Sequence, residues 1–374
     1  MIPLNRPYDS SCFNGDWRTL LDDSFPSYNY DMCFASRDGL NLIYRNLYER
    51  YGSMEVAVSP LSCFIALYPI VTNGHVPVFV DINEDTLNID EKELIGKDVQ
   101  AAQIIYLGGN PIDIDTVACW SREKNVKLIE DCAQAWGSTY KGKRLGSIGD
   151  YAVFSMVKNV YAECGGLLLS RDDLCSKKDE IISNWVLLYK KIKRNLEKRT
   201  SHNWFNLFNL MYCILLNIKE SSESGIYTKV RAINETKKLE ILDLLSYWND
   251  IDAKRYANAS MIINGIDVDK YTLQKEIVGG KSNRNRLLLI SKNRLAKDII
   301  RDLRRVGIAA NNLTQSYLNG FQDHVSKDCY LARYYDKPLE VYEEVFPYLV
   351  SIPNSPSLKN AEIEYIVNMV NKVN

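Results

Sequence analysis

The chain has 374 residues, 46 basic and 47 acidic, for a formal charge of −1 with its three histidines neutral. At about 100–200 residues per domain, this length admits two or three domains, or one large α/β domain with an appendage. An apolar content of 46% and a charged content of 25% exclude a disordered or collagen-like chain, and the balanced charge argues against a nucleic-acid partner, which calls for a clustered basic surplus.

The first half alternates short β-rich runs with helical patterns. Met54 to Pro60 (MEVAVSP) reads as a buried strand, followed by a helical segment from Leu61 to Asn73. The next strand is Val76 to Ile82, dense in β-branched residues, and another is Ala101 to Leu107, ended by Gly108 and Gly109. A helix from Asp113 to Lys124 leads into the strand Val126 to Asp131, and Tyr151 to Ser155 is a further strand-like run. Such alternation implies an α/β fold with a mostly parallel sheet flanked by helices.

The rhythm breaks between Asp179 and Ser224, a stretch with bulky apolar residues, no clear strand and a basic run from Lys190 to Arg199. It reads as a helical insertion at about 180–225. Its apolar run, Trp204 to Leu216, is shorter than the roughly 20 residues of a spanning helix. Beside the basic run it suits either a helix lying on a membrane surface or a helical pair packed on the protein or on a second copy. A long helix is expected from Lys237 to about Ile262, with Leu239, Leu242, Leu245 and Trp248 near helical spacing. A smaller α/β unit then follows: strand Arg286 to Ser291, helix Leu295 to Gly307 with the glycine at its C-terminal cap, and a last helix from Asn360 to Val373. The expected organisation is a large domain over 1–250 and a small C-terminal domain over 251–374.

The nine cysteines (12, 33, 63, 119, 132, 164, 175, 213 and 329) form no CxxC pair and are odd in number. Reduced thiols in a cytoplasmic protein fit this better than a disulfide frame or a zinc site. The first ten residues, MIPLNRPYDS, lack a charged head followed by an apolar stretch, so no secretion signal is expected. His75, His202 and His324 are too isolated to build a metal site.

The most informative segment runs from Ile129 to Asn159. Asp131 ends a buried strand, where open α/β sheets gather their ligands, and burying a carboxylate there calls for a cation or hydrogen-bond donors. Gln134 follows three residues later. Lys158 comes just after an apolar strand, where desolvation makes a lysine a better nucleophile towards carbonyl carbon. A carboxylate, an amide and a lysine at strand ends are the polar set that pyridoxal phosphate requires. On spacing alone, Asp131 serves equally as a helix cap and Lys158 as a surface charge.

Longer motifs go further. PVFVDIN (Pro77 to Asn83), GNPIDID (Gly109 to Asp115), IEDCAQAWG (Ile129 to Gly137), GSTYKGKRLGSIGD (Gly137 to Asp150), LRRVGIAA (Leu303 to Ala310) and SIPNSPSL (Ser351 to Leu358) stand in this order along the chain. In these the chain resembles the DegT/DnrJ-type nucleotide-sugar aminotransferases, pyridoxal-phosphate enzymes of the aspartate-aminotransferase fold (fold type I). The resemblance implies pyridoxal 5′-phosphate, alternating with its pyridoxamine form, as cofactor. It implies Lys158 as the lysine that bonds the cofactor, Asp131 at the pyridine nitrogen and Gln134 near the phenolic oxygen. Ala133 would lie beneath the ring, Phe64 above it, and Ser155 at the phosphate. Relatives with histidine at the lysine position perform dehydration, so Lys158 favours transamination.

Other positions depart from the pattern. The phosphate loop, usually Ser-Gly-Thr, reads Ala35-Ser36-Arg37-Asp38-Gly39, leaving Ser36 and Arg37 as candidate contacts at a helix N-terminus. Trp136 replaces the usual histidine. The element whose asparagine reaches across the dimer is not recognisable, and Asn234 is the candidate for that position. The resemblance implies a homodimer with shared active sites, a nucleotide-linked keto sugar as substrate, an amino-acid donor such as glutamate, and a product for glycan or polysaccharide synthesis. A pyridoxal-dependent sugar dehydratase of the same fold, and a non-catalytic descendant acting as a binding or sensory protein, remain alternatives.

Overall fold

The computed structural model describes residues 17–174, 180–181, 230–311 and 338–374. In chain order the elements begin with helix α1 (Trp17–Ser24), strand β1 (Asn29–Cys33), α2 (Ser36–Tyr51), β2 (Glu55–Val58) and α3 (Phe64–Thr72). Next come β3 (Val76–Phe79), α4 (Glu91–Ile95), β4 (Ala101–Ile105), α5 (Ile114–Lys124) and β5 (Lys127–Asp131). A hairpin of β6 (Thr139–Tyr140) and β7 (Lys143–Arg144) precedes β8 (Tyr151–Ser155), the one-turn α6 (Met156–Asn159), β9 (Gly166–Ser170), β10 (Glu180–Ile181) and β11 (Arg231–Ala232). The C-terminal part holds α7 (Glu235–Leu245), α8 (Trp248–Gly265), β12 (Tyr271–Leu273), β13 (Gly280–Lys281) and β14 (Leu287–Ser291). It ends with α9 (Ala296–Arg305), α10 (Glu340–Val345), β15 (Leu349–Ile352) and α11 (Asn360–Val373).

Nine strands form one sheet in the order β10-β11-β1-β9-β8-β5-β4-β2-β3. The run β8-β5-β4-β2-β3 is parallel, and β9 lies antiparallel between β8 and β1. Successive residues of a strand face opposite sides, and the sheet is covered on both. Ala57, Ala102, Ile104, Leu128, Ala152 and Phe154 pack with α5 and α7 on one face. Val56, Val58, Ile129, Tyr151 and Val153 pack with α2 and α3 on the other. Burial on both faces explains why these strands read as nearly unbroken apolar runs. A second sheet, β12-β14-β15, is antiparallel and shares a separate core with α8, α9 and α11. The third, β13-β6-β7, ties the hairpin after β5 to the C-terminal part.

Two sequence expectations are corrected. The long helix from Lys237 to Ile262 is two helices, interrupted at Ser246 and Tyr247, where the Ser246 hydroxyl donates to the Asp243 carbonyl. A serine that bonds its own preceding turn competes with the helix, and the break lets Trp248 pack edge-on against Trp136 at 6.4 Å. The expected insertion lies outside the described residues apart from Glu180 and Ile181, which form a short strand beside β11 instead of helix. Helix α8 bridges two cores: Trp248 and Ile251 belong to that of the large sheet, Ala259 and Ile262 to that of the small one. Among the described residues no helix is long and apolar enough to cross a membrane, and no group of His, Cys, Asp and Glu is arranged to hold a metal.

Candidate active site

From β2 the chain passes to β3 on one side and then returns to place β4 on the other. Open α/β sheets leave a crevice beyond the carboxyl ends of the strands at such a reversal. Asp131 stands at the carboxyl end of β5, one strand beyond that reversal, and β8 beside it runs directly into α6, which carries Lys158.

Asp131 is buried, 2% exposed. Its Oδ1 accepts from the Ala133 amide at 3.1 Å and its Oδ2 from Gln103 Nε2 at 3.3 Å. Burial pushes the carboxyl above its usual range, while the Lys158 charge and these two hydrogen bonds pull it back. Ala133 is buried beside it. Gln134 is buried as well, and its Oε1 accepts from the Gly108 amide at 3.0 Å, which leaves Nε2 as its donor end.

Lys158 is half-buried in the one-turn helix. Desolvation lowers the pKa of its amine and Arg286 lowers it further, against the opposing pull of Cys63 and Asp131. The carboxylate and the amine therefore bear on each other electrostatically. Residues distant in sequence hold the backbone of this turn. Asn285 Nδ2 donates to the Lys158 carbonyl at 2.9 Å, and Arg255 Nη2 donates to the Asn159 carbonyl at 2.6 Å. Asn159 in turn donates to the carbonyls of Ala133 and Ser155 and accepts from the Trp136 amide. The lysine turn and the segment after Asp131 are thus knotted together.

Phe64 opens α3 and is half-buried. Cys63 just before it bears electrostatically on Lys158, and the Ala66 carbonyl accepts from Gln103, so the first turn of α3 sits beside the acid and the amine.

Ser155 is buried and pairs with Gly166 across β8 and β9. A Cβ on Gly166 would stand 2.3 Å from the Ala35 carbonyl carbon and from the Ser36 nitrogen. Only glycine allows β9 to meet the N-terminus of α2 this closely, which brings Ser36 near the end of β8. Ser36 and Arg37 are half-buried in the first turn of α2. That turn is anchored by Asp38, fully buried, whose carboxylate takes both Nε (2.9 Å) and Nη2 (3.3 Å) of Arg231. Asn234 caps α7, its Oδ1 accepting from the Lys237 amide at 2.8 Å.

Sequence reasoning missed Gln103, Tyr44, Asn285, Arg255 and the Asp38–Arg231 pair. The one available signal was Gln103 itself, a lone amide in the buried strand AAQII, since a buried polar group demands partners. Trp136, in the place of the family's histidine, is a fully buried core residue, edge-on to Phe154 at 5.0 Å.

A mostly parallel sheet with this crevice has solved counterparts. The chain is similar to the Escherichia coli GDP-4-keto-6-deoxy-D-mannose-3-dehydratase with bound hydrated PLP, with a TM-score of 0.71 and 18% identity over 98% of this chain and 99% of the other. This likeness establishes the fold, that of the type I pyridoxal-phosphate transferases. The chain belongs to the DegT/DnrJ/EryC1/StrS aminotransferase family, whose model matches residues 37–371. Among characterised relatives, it is 25% identical over 343 residues to the dTDP-3-amino-3,6-dideoxy-alpha-D-galactopyranose transaminase of Aneurinibacillus thermoaerophilus, covering 90% of this chain and 83% of that one. It is 37% identical over 127 residues to Protein MosB of Rhizobium meliloti; this match covers 33% of the chain and spans only 25% of MosB.

Proposed function

We propose that this protein is a homodimeric pyridoxal-phosphate aminotransferase that moves an amino group from an amino acid, glutamate by family resemblance, to a keto group on a nucleotide-linked sugar. The observation that carries this is the pairing of a buried carboxylate, Asp131, with a lysine amine whose pKa is lowered, at the carboxyl edge of one parallel sheet. Family membership and the transaminase relative support the same reading. We further propose a division near residue 250 into a large cofactor-binding domain and a small C-terminal one, and a cytoplasmic location.

The donor set fits the cofactor. Asp131 offers a carboxylate to a protonated pyridine nitrogen, Ala133 and Phe64 suit the two ring faces, and the Gln134 amide suits the phenolic oxygen. The hydroxyls of Ser155 and Ser36, the Arg37 guanidinium and the N-terminal end of α2 suit a phosphate, because helix N-termini favour anions. Asn234 is proposed to serve the partner's site. Lys158 would hold the cofactor through its amine.

When bound, pyridoxal phosphate supplies an electron sink for charge developing at the donor's α-carbon. Asp131 keeps that sink effective by favouring the positive ring nitrogen. Lys158, once free, takes the α-carbon proton on Nζ and later returns it, and a lowered pKa suits both duties near neutrality. The surrounding burial keeps water from competing for that proton. One site serves both half-reactions, so kinetics should be ping-pong. The lysine at position 158 favours amination over dehydration.

The test is amine transfer from glutamate to a panel of nucleotide-linked keto sugars, read by mass spectrometry. An amino-sugar nucleotide that forms only with donor and cofactor supports the proposal. A deoxygenated keto sugar without nitrogen gain would contradict it in favour of a dehydratase.

A further inference from the structure

We propose that Tyr44 and Gln103 form a positioning relay that holds Asp131 ionised and aimed at the ring nitrogen of its ligand. The relay rests on the cofactor reading above. Tyr44 and Gln103 are fully buried and Asp131 nearly so. The Tyr44 hydroxyl donates to Gln103 Oε1 at 2.6 Å, and Gln103 Nε2 donates to Asp131 Oδ2 and to the Ala66 carbonyl, both at 3.3 Å.

The chemistry of the partners fixes the direction of these bonds. The Ala66 carbonyl and the Asp131 carboxylate both only accept, so the amide nitrogen must face them. The amide oxygen then points to Tyr44, whose hydroxyl has a proton to give. A flipped amide would set oxygen against a carboxylate and a carbonyl. Tyr44 therefore acts on Asp131 through Gln103, and every polar atom of the Gln103 side chain is engaged. A fully satisfied buried network of this kind specifies one geometry.

Its consequence is electrostatic. Burial favours the neutral carboxylic acid, which cannot stabilise a positive ring nitrogen. The titratable groups bearing on Asp131 are Lys158 on α6, Tyr44 on α2 and the adjacent Cys132 thiol; Arg286 and Cys63 bear on Lys158. Of the donors to the carboxylate, the Ala133 amide is backbone and Gln103 is the side chain that substitution can remove. Loss of that donor raises the carboxyl pKa, so the active ionised form is lost at a higher pH as pH falls.

The test uses Gln103→Met, which keeps the volume without the amide, and Tyr44→Phe, which keeps the ring. Cofactor-loaded proteins are titrated with acid while the visible absorption band and kcat are followed, with thermal melting recorded separately. The acid limb of both profiles should move to higher pH by about one unit in Gln103→Met, and by less in the same direction in Tyr44→Phe. The KM for the donor should stay within about twofold, because the relay touches no substrate. Limbs that coincide with wild type in both variants overturn the relay while leaving the cofactor reading intact. If Gln103→Met does not fold, an unshifted Tyr44→Phe alone overturns it. Wild-type protein that takes no Lys158-dependent colour overturns the cofactor reading and the relay with it.

Discussion

Asp131 and Lys158 stand at the ends of neighbouring parallel strands, yet they are held in different ways. The acid is fixed within the large sheet and its covering helices, by Ala133, Gln103 and, through it, Tyr44. The turn that carries the lysine is held by residues beyond position 250, Asn285 and Arg255, roughly a hundred residues away in sequence. Asn283 joins them, donating to the Trp136 carbonyl at 2.9 Å. The carboxylate is thus a property of one core, whereas the amine's placement depends on how the C-terminal part docks. The carboxylate proposed to face the ring nitrogen ends a strand inside the large sheet. The amine proposed to bond the cofactor and carry a proton sits on a short turn held by hydrogen bonds to its carbonyls.

The largest effect expected on this contrast comes from Lys158→Ala, which removes the amine itself. Transamination should fall by about 10⁴-fold, the upper range for loss of an acid–base group, with melting unchanged; kinetics of product formation check it. Asp131→Asn should follow, lowering kcat by about 10²–10³-fold, as the loss of a preorganised electrostatic partner does. The variant should still take up cofactor, which absorbance reads directly. Near-wild-type turnover would remove Asp131 from its assigned role.

A smaller effect is expected at the proposed phosphate end. Gly166→Ala forces a methyl into the backbone at the start of α2, and overpacking of this kind costs about 1–3 kcal/mol. Weaker cofactor binding, measured by equilibrium titration, should accompany the lower melting point. The mildest is Asn285→Ala. It removes one hydrogen bond to the Lys158 carbonyl, worth about 0.5–1.5 kcal/mol. It should lower kcat by less than about tenfold while leaving the acid limb of the pH profile where it was. That last point separates the supports of the amine from those of the acid.

The parallel strands β2, β3, β4, β5 and β8 were legible because burial in the sheet writes nearly continuous apolar runs, and the bounds of β8 match its reading residue for residue. Asp131 and Lys158 were legible because each follows such a run directly. Helix was expected over α7 and α8, but the break between them was not, since that turn depends on one serine hydroxyl and on where Trp248 must pack. Gln103, Arg255 and Asn285 escaped for a related reason. Their partners lie 28, 96 and 127 residues away, and no local pattern encodes a hydrogen bond of that span. Asp38 and Arg231, 193 residues apart, are the extreme case.

Reduction of the cofactor-loaded protein with borohydride, followed by peptide mass mapping, tests the central claim most directly. The account predicts the cofactor's mass on the peptide containing Lys158, and its loss in Lys158→Ala. Stable label on any other lysine, or none in a protein that nevertheless aminates a keto sugar, would contradict it.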